Sequence, residues 1–477
     1  MLVEWFISYV EFLILVYAIG IMSAYFLLAI ISLAEMKKYM DRNKETDFRT
    51  ILSSPLSPRV SLIAPAYNES LTIVDNIKSL LAIQYSKFEV IIVNDGSKDN
   101  SVEKVIRYFE LEAVDLAHDT QIPCKQIRAI YKSKNKAYKK LTFIDKENGG
   151  KADALNAGIN VARNELVACI DVDSVIESDA ILKMVKPFLD ETNHEVIATG
   201  GVVRIANDCV IEDGRLIQAK LPTGMLARFQ VLEYIRAFLL GRMAWSKMNG
   251  LLIISGAFGM FKKEIVIKCG GYNTKTVGED MELVVRMRKW MARNKRKYRV
   301  AYIPDPLCWT EAPASNKILS RQRNRWARGT FETLKMHGDL FFNPKYGTMG
   351  MLSYPFWFFF EWLAPFFEVL GLAYFGFLIY MERINWEFYA LMMGLVYSFA
   401  VLISLSSILS EEISFFKYHK RMDFLKMVVA ALLEPILYHP RVVFWSLKGN
   451  FDLWKGKTNW GEMSRSGFVN YRKASNG

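Results

Sequence analysis

The sequence predicts an α/β domain with a largely parallel sheet, set between hydrophobic segments long enough to cross a membrane. Three observations carry that expectation. Short β-rich runs alternate with amphipathic helical stretches from Pro58 to about Asn343. Charge-poor apolar segments stand on both sides of that region. Hydrophobic residues make up 52% of the 477 residues and charged ones 23%, with 31 Phe, 22 Tyr and 11 Trp, an apolar balance for a water-soluble protein of this length.

Residues 12–34 contain no charge, and at about 1.5 Å per residue they span a bilayer core of about 30 Å. No Lys or Arg precedes the run and no small-residue cleavage site follows it, so it reads as a membrane helix rather than a signal peptide. Lys37 and Lys38 follow it, which puts the next segment in the cytoplasm. The expected strands of the α/β region are 60–64, 90–94, 166–171 and 196–203, apolar runs suited to a sheet buried on both faces. The Lys-rich stretch 131–146 reads as a solvated insertion.

Three more hydrophobic segments follow, at 353–380, 388–410 and 427–445, the last interrupted by Glu434, Pro435, His439, Pro440 and Arg441 and expected to bend or lie in the interface. The resulting division is an N-terminal membrane helix (1–36), a cytoplasmic domain (37–346), a membrane region (347–447) and a basic tail (448–477). Simple alternation puts the tail outside, whereas Lys448, Lys455, Lys457, Arg465, Arg472 and Lys473 argue for the inside. Glu361 and Glu368 fall on one helical face. With Glu434 they read either as the lining of a polar path with Trp357, Trp362 and Tyr380 or as interhelical hydrogen-bonding groups.

The net charge of +12 admits nucleic acid, anionic lipid or an anionic small substrate. Arg and aromatic residues do cluster, but beside the membrane and without a recognised nucleic-acid module, so nucleic acid is not expected as a partner. Cys124, Cys169, Cys209, Cys269 and Cys308 form no close pair, which argues against a zinc site or a disulfide framework.

The polar residues that carry chemistry sit where strands end, the place where open α/β sheets bind ligands. The first strand runs into Ala66, Tyr67 and Glu69, and the second into Asp95 followed by Gly96, either a ligand-binding carboxylate or a turn residue. Gly149-Gly150-Lys151 opens a helix and suits a phosphate without the spacing of a P-loop. The third strand delivers Asp171-Val172-Asp173, alternating carboxylates able to share Mg²⁺ or Mn²⁺ with a diphosphate. Glu279-Asp280 begins another helix, and Asp280 is a candidate general base or a helix cap. Gln322, Arg325 and Trp326 lie in an Arg-rich run suited to a membrane anchor or to a diphosphate and a sugar ring.

These elements, in this order, resemble the processive family-2 glycosyltransferases, the group that includes bacterial cellulose, hyaluronan, chitin and poly-N-acetylglucosamine synthases. The resemblance covers about Arg59 to Phe331. It implies a GT-A (Rossmann-like) cytoplasmic domain between transmembrane helices of the inner or plasma membrane. It further implies an inverting, metal-dependent transfer from a UDP-sugar to a growing polysaccharide, with Mg²⁺ or Mn²⁺ as cofactor. By the same resemblance Ala66, Tyr67, Glu69, Asp95, Lys151 and Asp171 bind the nucleotide, and Asp171 and Asp173 hold the metal. Asp280 is the catalytic base, and Glu279, Gln322, Arg325 and Trp326 meet diphosphate and acceptor. Ser255, Gly256 and Phe258 occupy the position of an acceptor-lining segment, in wording that departs from the family's usual one. Membrane lipids are further partners, and secretion partners are not specified. Two other readings remain open: transfer of a single sugar to a polyprenyl phosphate or glycolipid, and an inactive sugar-nucleotide-binding subunit of a secretion complex.

Overall fold

Runs of Val, Ile, Leu and Ala without a polar face have to be covered on both sides, and here they become the centre of a ten-stranded mixed sheet. The computed structural model describes residues 2–456 except 45, 191–192, 213, 416–417 and 419–420. In chain order the strands are β1 (Val60–Ala66), β2 (Phe88–Asn94), β3 (Leu111–Ala113), β4 (Ile127–Ser133), β5 (Leu141–Lys146), β6 (Leu166–Ile170), β7 (Val175–Ile176), β8 (Glu195–Ile205), β9 (Val210–Glu212), β10 (Arg215–Gln218), β11 (Phe258–Lys262) and β12 (Tyr298–Thr310). The sheet order is β3-β4-β5-β2-β1-β6-β11-β8-β12-β7, and β9 and β10 form a separate hairpin.

β5, β2, β1 and β6 run parallel, with Ala66 beside Asn94 and Asn94 beside Asp145, so their carboxyl ends share one edge. β11 enters antiparallel between β6 and β8, which brings the segment before it back to the same edge. The four expected strands are present with small differences of extent, and β6 stops at Ile170, leaving Asp171 in the loop that follows.

One expectation is corrected. Residues 131–146 are not a solvated insertion: they supply the end of β4 and all of β5, and Leu141, Phe143 and Ile144 are buried core residues. Lys132, Lys134, Lys136, Lys139 and Lys140 crowd the end of β4 and the connection to β5, masking the short apolar run that inserts beside β2.

Among the described residues, the helices Ile7–Lys44 and Trp386–Ser414 are long and apolar enough to cross a membrane. The bent pairs Met349–Trp362 with Ala364–Tyr380 (41°) and Arg421–Leu437 with His439–Trp454 (48°) raise the number to four if each pair is one span. The second break falls at the Pro and charge cluster that interrupts the last hydrophobic segment. The first helix has 43 residues, about 64 Å at 1.5 Å per residue, so its end projects well past a bilayer core. That end docks on the sheet domain: Ser32 Oγ accepts the Ala244 N–H at 2.9 Å, Glu35 pairs with Lys247 at 3.1 Å, and Tyr39 donates to Asp305.

The carboxylates in the apolar helices join elements distant in sequence. Tyr25 donates to Glu361 at 2.8 Å, His439 lies 2.9 Å from Glu368, and Arg236 reaches Glu434 at 3.2 Å. Of the basic tail, Lys448 lies in the helix His439–Trp454 and Lys455 caps it, while Lys457, Arg465, Arg472 and Lys473 lie outside the described residues.

Candidate functional site

The shared edge of β1, β2, β5 and β6 builds the site from its floor upward. Asp95, directly after β2, is 4% exposed. Its Oδ1 accepts from Lys146 Nζ at 2.7 Å and from the Gly149 N–H at 2.9 Å, while Oδ2 accepts from the Gly150 N–H at 2.8 Å. Gly150 has φ +87°, a backbone angle that a side chain would strain, and it turns the chain into the helix Lys151–Val161. The Asp95 carboxylate therefore grips the loop that launches Lys151.

Lys151 Nζ pairs with Asp171 Oδ1 and donates to the Gly256 carbonyl at 3.2 Å. Burial works against its charge, but Asp171 and Glu279 outweigh that and hold its pKa above the ordinary lysine value. Pairing of β11 with β6 brings the segment before β11 alongside, with the Asp171 N–H on the Ala257 carbonyl at 3.2 Å. The next residue back, Gly256, donates its N–H to Asp280 Oδ2 at 3.1 Å. One contact chain thus runs Asp95, Gly149-Gly150, Lys151, Asp171, Gly256, Asp280.

Asp280 does not cap its helix. The helix Glu279–Arg293 begins one residue earlier, its N-cap is Gly278, and Asp280 turns one carboxylate oxygen to Gly256 and the other to the Met281 N–H at 2.8 Å. Glu279 is buried beside it. Burial and the neighbouring Asp280 carboxylate push its pKa up to about 7, with Lys151 and Arg325 pulling the other way.

The helix Asn316–Met336 packs against the start of the helix Glu279–Arg293. A Cβ on Gly278 would come within 2.7 Å of Gly329 Cα, so this helix and the start of Glu279–Arg293 are in backbone contact there. Gln322 Oε1 is buried and has no hydrogen-bond partner among the described residues. Trp326 is 41% exposed, with the Arg323 guanidinium 4.1 Å from its ring centre. Arg323 is itself buried and pairs with Glu233 at 2.8 Å, so the Arg-rich run is partly internal rather than wholly an interfacial anchor.

At the other end, Ala66 is buried and Tyr67 exposed. The Asn68 N–H donates to Ser97 Oγ at 2.9 Å and Asn68 Oδ1 accepts the Lys98 N–H at 2.8 Å, tying the loops after β1 and β2 together. Glu69 Oε2 accepts from Thr72 at 3.3 Å, at the start of the next helix. Ser255 and Gly256 are partly exposed at the site, whereas Phe258 is fully buried in the sheet core.

Asp171 and Asp173, separated by the buried Val172, offer the hard oxygen donors that Mg²⁺ or Mn²⁺ prefers. Among the described residues no group of three or more His, Cys, Asp or Glu is arranged to hold a metal ion. The pair fits a cation that takes its remaining oxygens from phosphate and water.

Sequence reasoning missed three features. Lys146 and Asp153 lie beneath Asp95, Gly278 and Gly329 bring two helices together, and Glu233 holds Arg323. The first had a visible signal, a lysine closing the short strand that Leu141, Phe143 and Ile144 fix in the core. The others join residues 51 to 90 positions apart without any local pattern.

Residues 58–329, which contain every site residue named above from Ala66 to Trp326, match the family described as Glycosyltransferase like family 2. Poly-beta-1,6-N-acetyl-D-glucosamine synthase of Staphylococcus epidermidis is 31% identical over 276 residues, 58% of this chain and 55% of that protein. The protein of the same name from Staphylococcus aureus (strain COL) is 32% identical over 278 residues, with the same shares. The chain spans about half the length of these curated relatives. Among solved structures, the mannosyltransferase PcManGT from Pyrobaculum calidifontis, in complex with GDP-Man and Mn²⁺, aligns with a TM-score of 0.52 at 16% identity. The alignment covers 93% of this chain and 100% of that one, and the likeness establishes the GT-A fold.

Proposed function

Because the chain belongs to glycosyltransferase family 2, we propose that it is a membrane enzyme with a cytoplasmic catalytic domain. It transfers sugar with inversion from a UDP-sugar to a growing polysaccharide, repeatedly, and passes the polymer across the membrane. N-acetyl-D-glucosamine, the sugar in the names of its relatives, is the first donor sugar to test. The observation that carries this reading is the contact chain from Asp95 to Asp280, which places Lys151 and the carboxylates of Asp95, Asp171 and Asp280 along one sheet edge.

The division of labour follows from that order. Tyr67 offers an exposed ring for the base, and the Gly149-Gly150 loop and Lys151 face the diphosphate. Asp171 and Asp173 are the residues that would hold Mg²⁺ or Mn²⁺, whose chemistry when bound is electrostatic stabilisation of the departing diphosphate. Arg325 adds positive charge on the same side, and its influence reaches Glu279 and Lys151. The buried Gln322 Oε1 supplies an acceptor for a sugar hydroxyl, and the exposed Trp326 ring supplies a stacking surface. Asp280 takes the proton from the acceptor hydroxyl as its oxygen bonds to the anomeric carbon. The bond from that carbon to the diphosphate breaks, and its electron pair leaves with the diphosphate oxygen.

The test is to give the purified protein in detergent a panel of nucleotide sugars with Mg²⁺ or Mn²⁺ and to size the products. Long β-linked polymer from one UDP-sugar is the expected result. Addition of a single sugar to a lipid acceptor would overturn the polymer reading, and no nucleotide diphosphate release with any donor would overturn transfer itself.

A further inference from the structure

Beneath the Gly149-Gly150 loop, two carboxylates and one ammonium group are sealed from water. Lys146, the last residue of β5, is 0% exposed, while Asp95 and Asp153 are 4% and 6% exposed. Lys146 Nζ lies 2.7 Å from Asp95 Oδ1 and 2.6 Å from Asp153 Oδ1, and it donates to the Glu147 carbonyl at 2.5 Å. Burying an ammonium group costs several kcal/mol unless carboxylates repay it. Leu141, Phe143 and Ile144 of the same strand are buried aliphatic and aromatic side chains, and Lys146 is the fully buried charge among them.

The trio joins three pieces of chain that have to be in register for the donor loop to form: the end of β2, the end of β5, and the first turn of the helix Lys151–Val161. Asp95 uses both oxygens to hold the Gly149 and Gly150 N–H groups. Asp153 accepts the Lys125 N–H at 3.0 Å, and a Cβ on Gly149 would collide with its carboxylate, so the loop has no slack. The Cys124 thiol is a further titratable neighbour, its pKa raised by burial first and by Asp153, with Lys146 pulling it down. Beyond it, Asp145 bonds to Asn94 at 2.6 Å and lies 3.8 Å from Arg128.

We propose that Lys146 is a positioning residue for the nucleotide diphosphate: by balancing the charge of Asp95 and Asp153 it keeps Asp95 holding the Gly149-Gly150 loop, which aims Lys151 at Asp171 and at the phosphates. This rests on the reading that the donor occupies this sheet edge. Lys146 touches no substrate and acts through Asp95.

Charge balance separates this role from simple packing. In Lys146→Met, Asp95 and Asp153 lose the ammonium group they share, and two buried like charges without a cation repel. That repulsion loosens the hold of Asp95 on the Gly149-Gly150 loop. Removing one negative charge as well, in Lys146→Met with Asp153→Asn, restores the native sum.

The experiment measures UDP binding by calorimetry at one fixed pH for the full chain in detergent, with each variant expressed as a ratio to wild type. Lys146→Met is expected to bind at least tenfold more weakly. The double variant, which restores the charge sum but not the lysine's packing, is expected to stay within threefold of wild type. Equal affinity of Lys146→Met and wild type overturns the role, as does a loss that the double variant shares. If Lys146→Met alone does not fold, the double variant decides: binding within threefold supports the role, and a larger loss overturns it. A wild-type protein that binds neither UDP nor GDP overturns the reading of the site, and the role with it.

Discussion

The Gly256 N–H donates to Asp280 Oδ2 at 3.1 Å, while the Gly256 carbonyl accepts from Lys151 at 3.2 Å. A residue without a side chain therefore spaces the proposed base from the proposed phosphate lysine. A Cβ there would lie 3.3 Å from both Asp280 Oδ2 and Lys151 Nζ, so one of them has to yield by a few tenths of an ångström. Gly256→Ala should fold, bind UDP within a few-fold of wild type, and lose about tenfold in kcat, less than the roughly 10²-fold that a full 1 Å misplacement costs. Steady-state kinetics beside UDP calorimetry would show it, and an unchanged kcat would mean that this spacing does not matter.

Asp280→Asn keeps the shape and the acceptor oxygen for Gly256 but removes the ability to take a proton. Donor binding should stay within about threefold of wild type while turnover falls about 10²- to 10⁴-fold, the usual share of a general base. The check is nucleotide diphosphate release at saturating donor. Turnover near the wild-type level eliminates Asp280 as the base.

What could be read from the sequence was whatever is encoded locally. Ala66, Asp95 and Asp171 each follow a run of aliphatic residues, so their place at a strand end is written beside them. Residues 131–146 misled because the lysines around the β4–β5 connection outnumber the few apolar residues that fix β5 in the sheet. Asp280 looked like a possible cap because its N-terminal position is local information, whereas its bond to Gly256, 24 residues earlier, is not. The partners of Arg323 and Glu434 lie 90 and 198 residues away and were legible only as charges in need of a counter-ion.

Glu279 gives stability a pH signature. Its pKa rises from an ordinary 4.5 to about 7 in the folded protein, through burial first and the Asp280 carboxylate second. The folded state thus holds this proton after the unfolded chain has released it, and stability falls as pH rises from 4.5 to about 7. Glu279→Gln mimics the protonated side chain and removes that loss. Its apparent melting temperature should exceed that of wild type by on the order of 5 °C at pH 8 and converge with it near pH 5. Thermal unfolding in detergent at the two pH values tests this, and an offset independent of pH would contradict it.

Arg236 and Glu434 make the last test, because their pairing joins the π-helical turn Arg236–Gly241 to the bent helix pair at the carboxyl end. Arg236 reaches Glu434 at 3.2 and 3.3 Å and Ser404 Oγ at 2.9 Å, so a single guanidinium ties together three elements. Glu434 is buried, and deleting Arg236 leaves its charge without that partner in an apolar region. Removing one member of a buried pair costs about 3–5 kcal/mol, whereas replacing both with apolar residues of similar volume is near neutral. Arg236→Met and Glu434→Leu should each lower the apparent melting temperature, and the double variant should recover most of the loss. If the double variant keeps its stability but makes polymer that stays on the donor side in proteoliposomes, the pair has a part in export beyond holding helices together. If secretion recovers along with stability, its contribution is confined to packing.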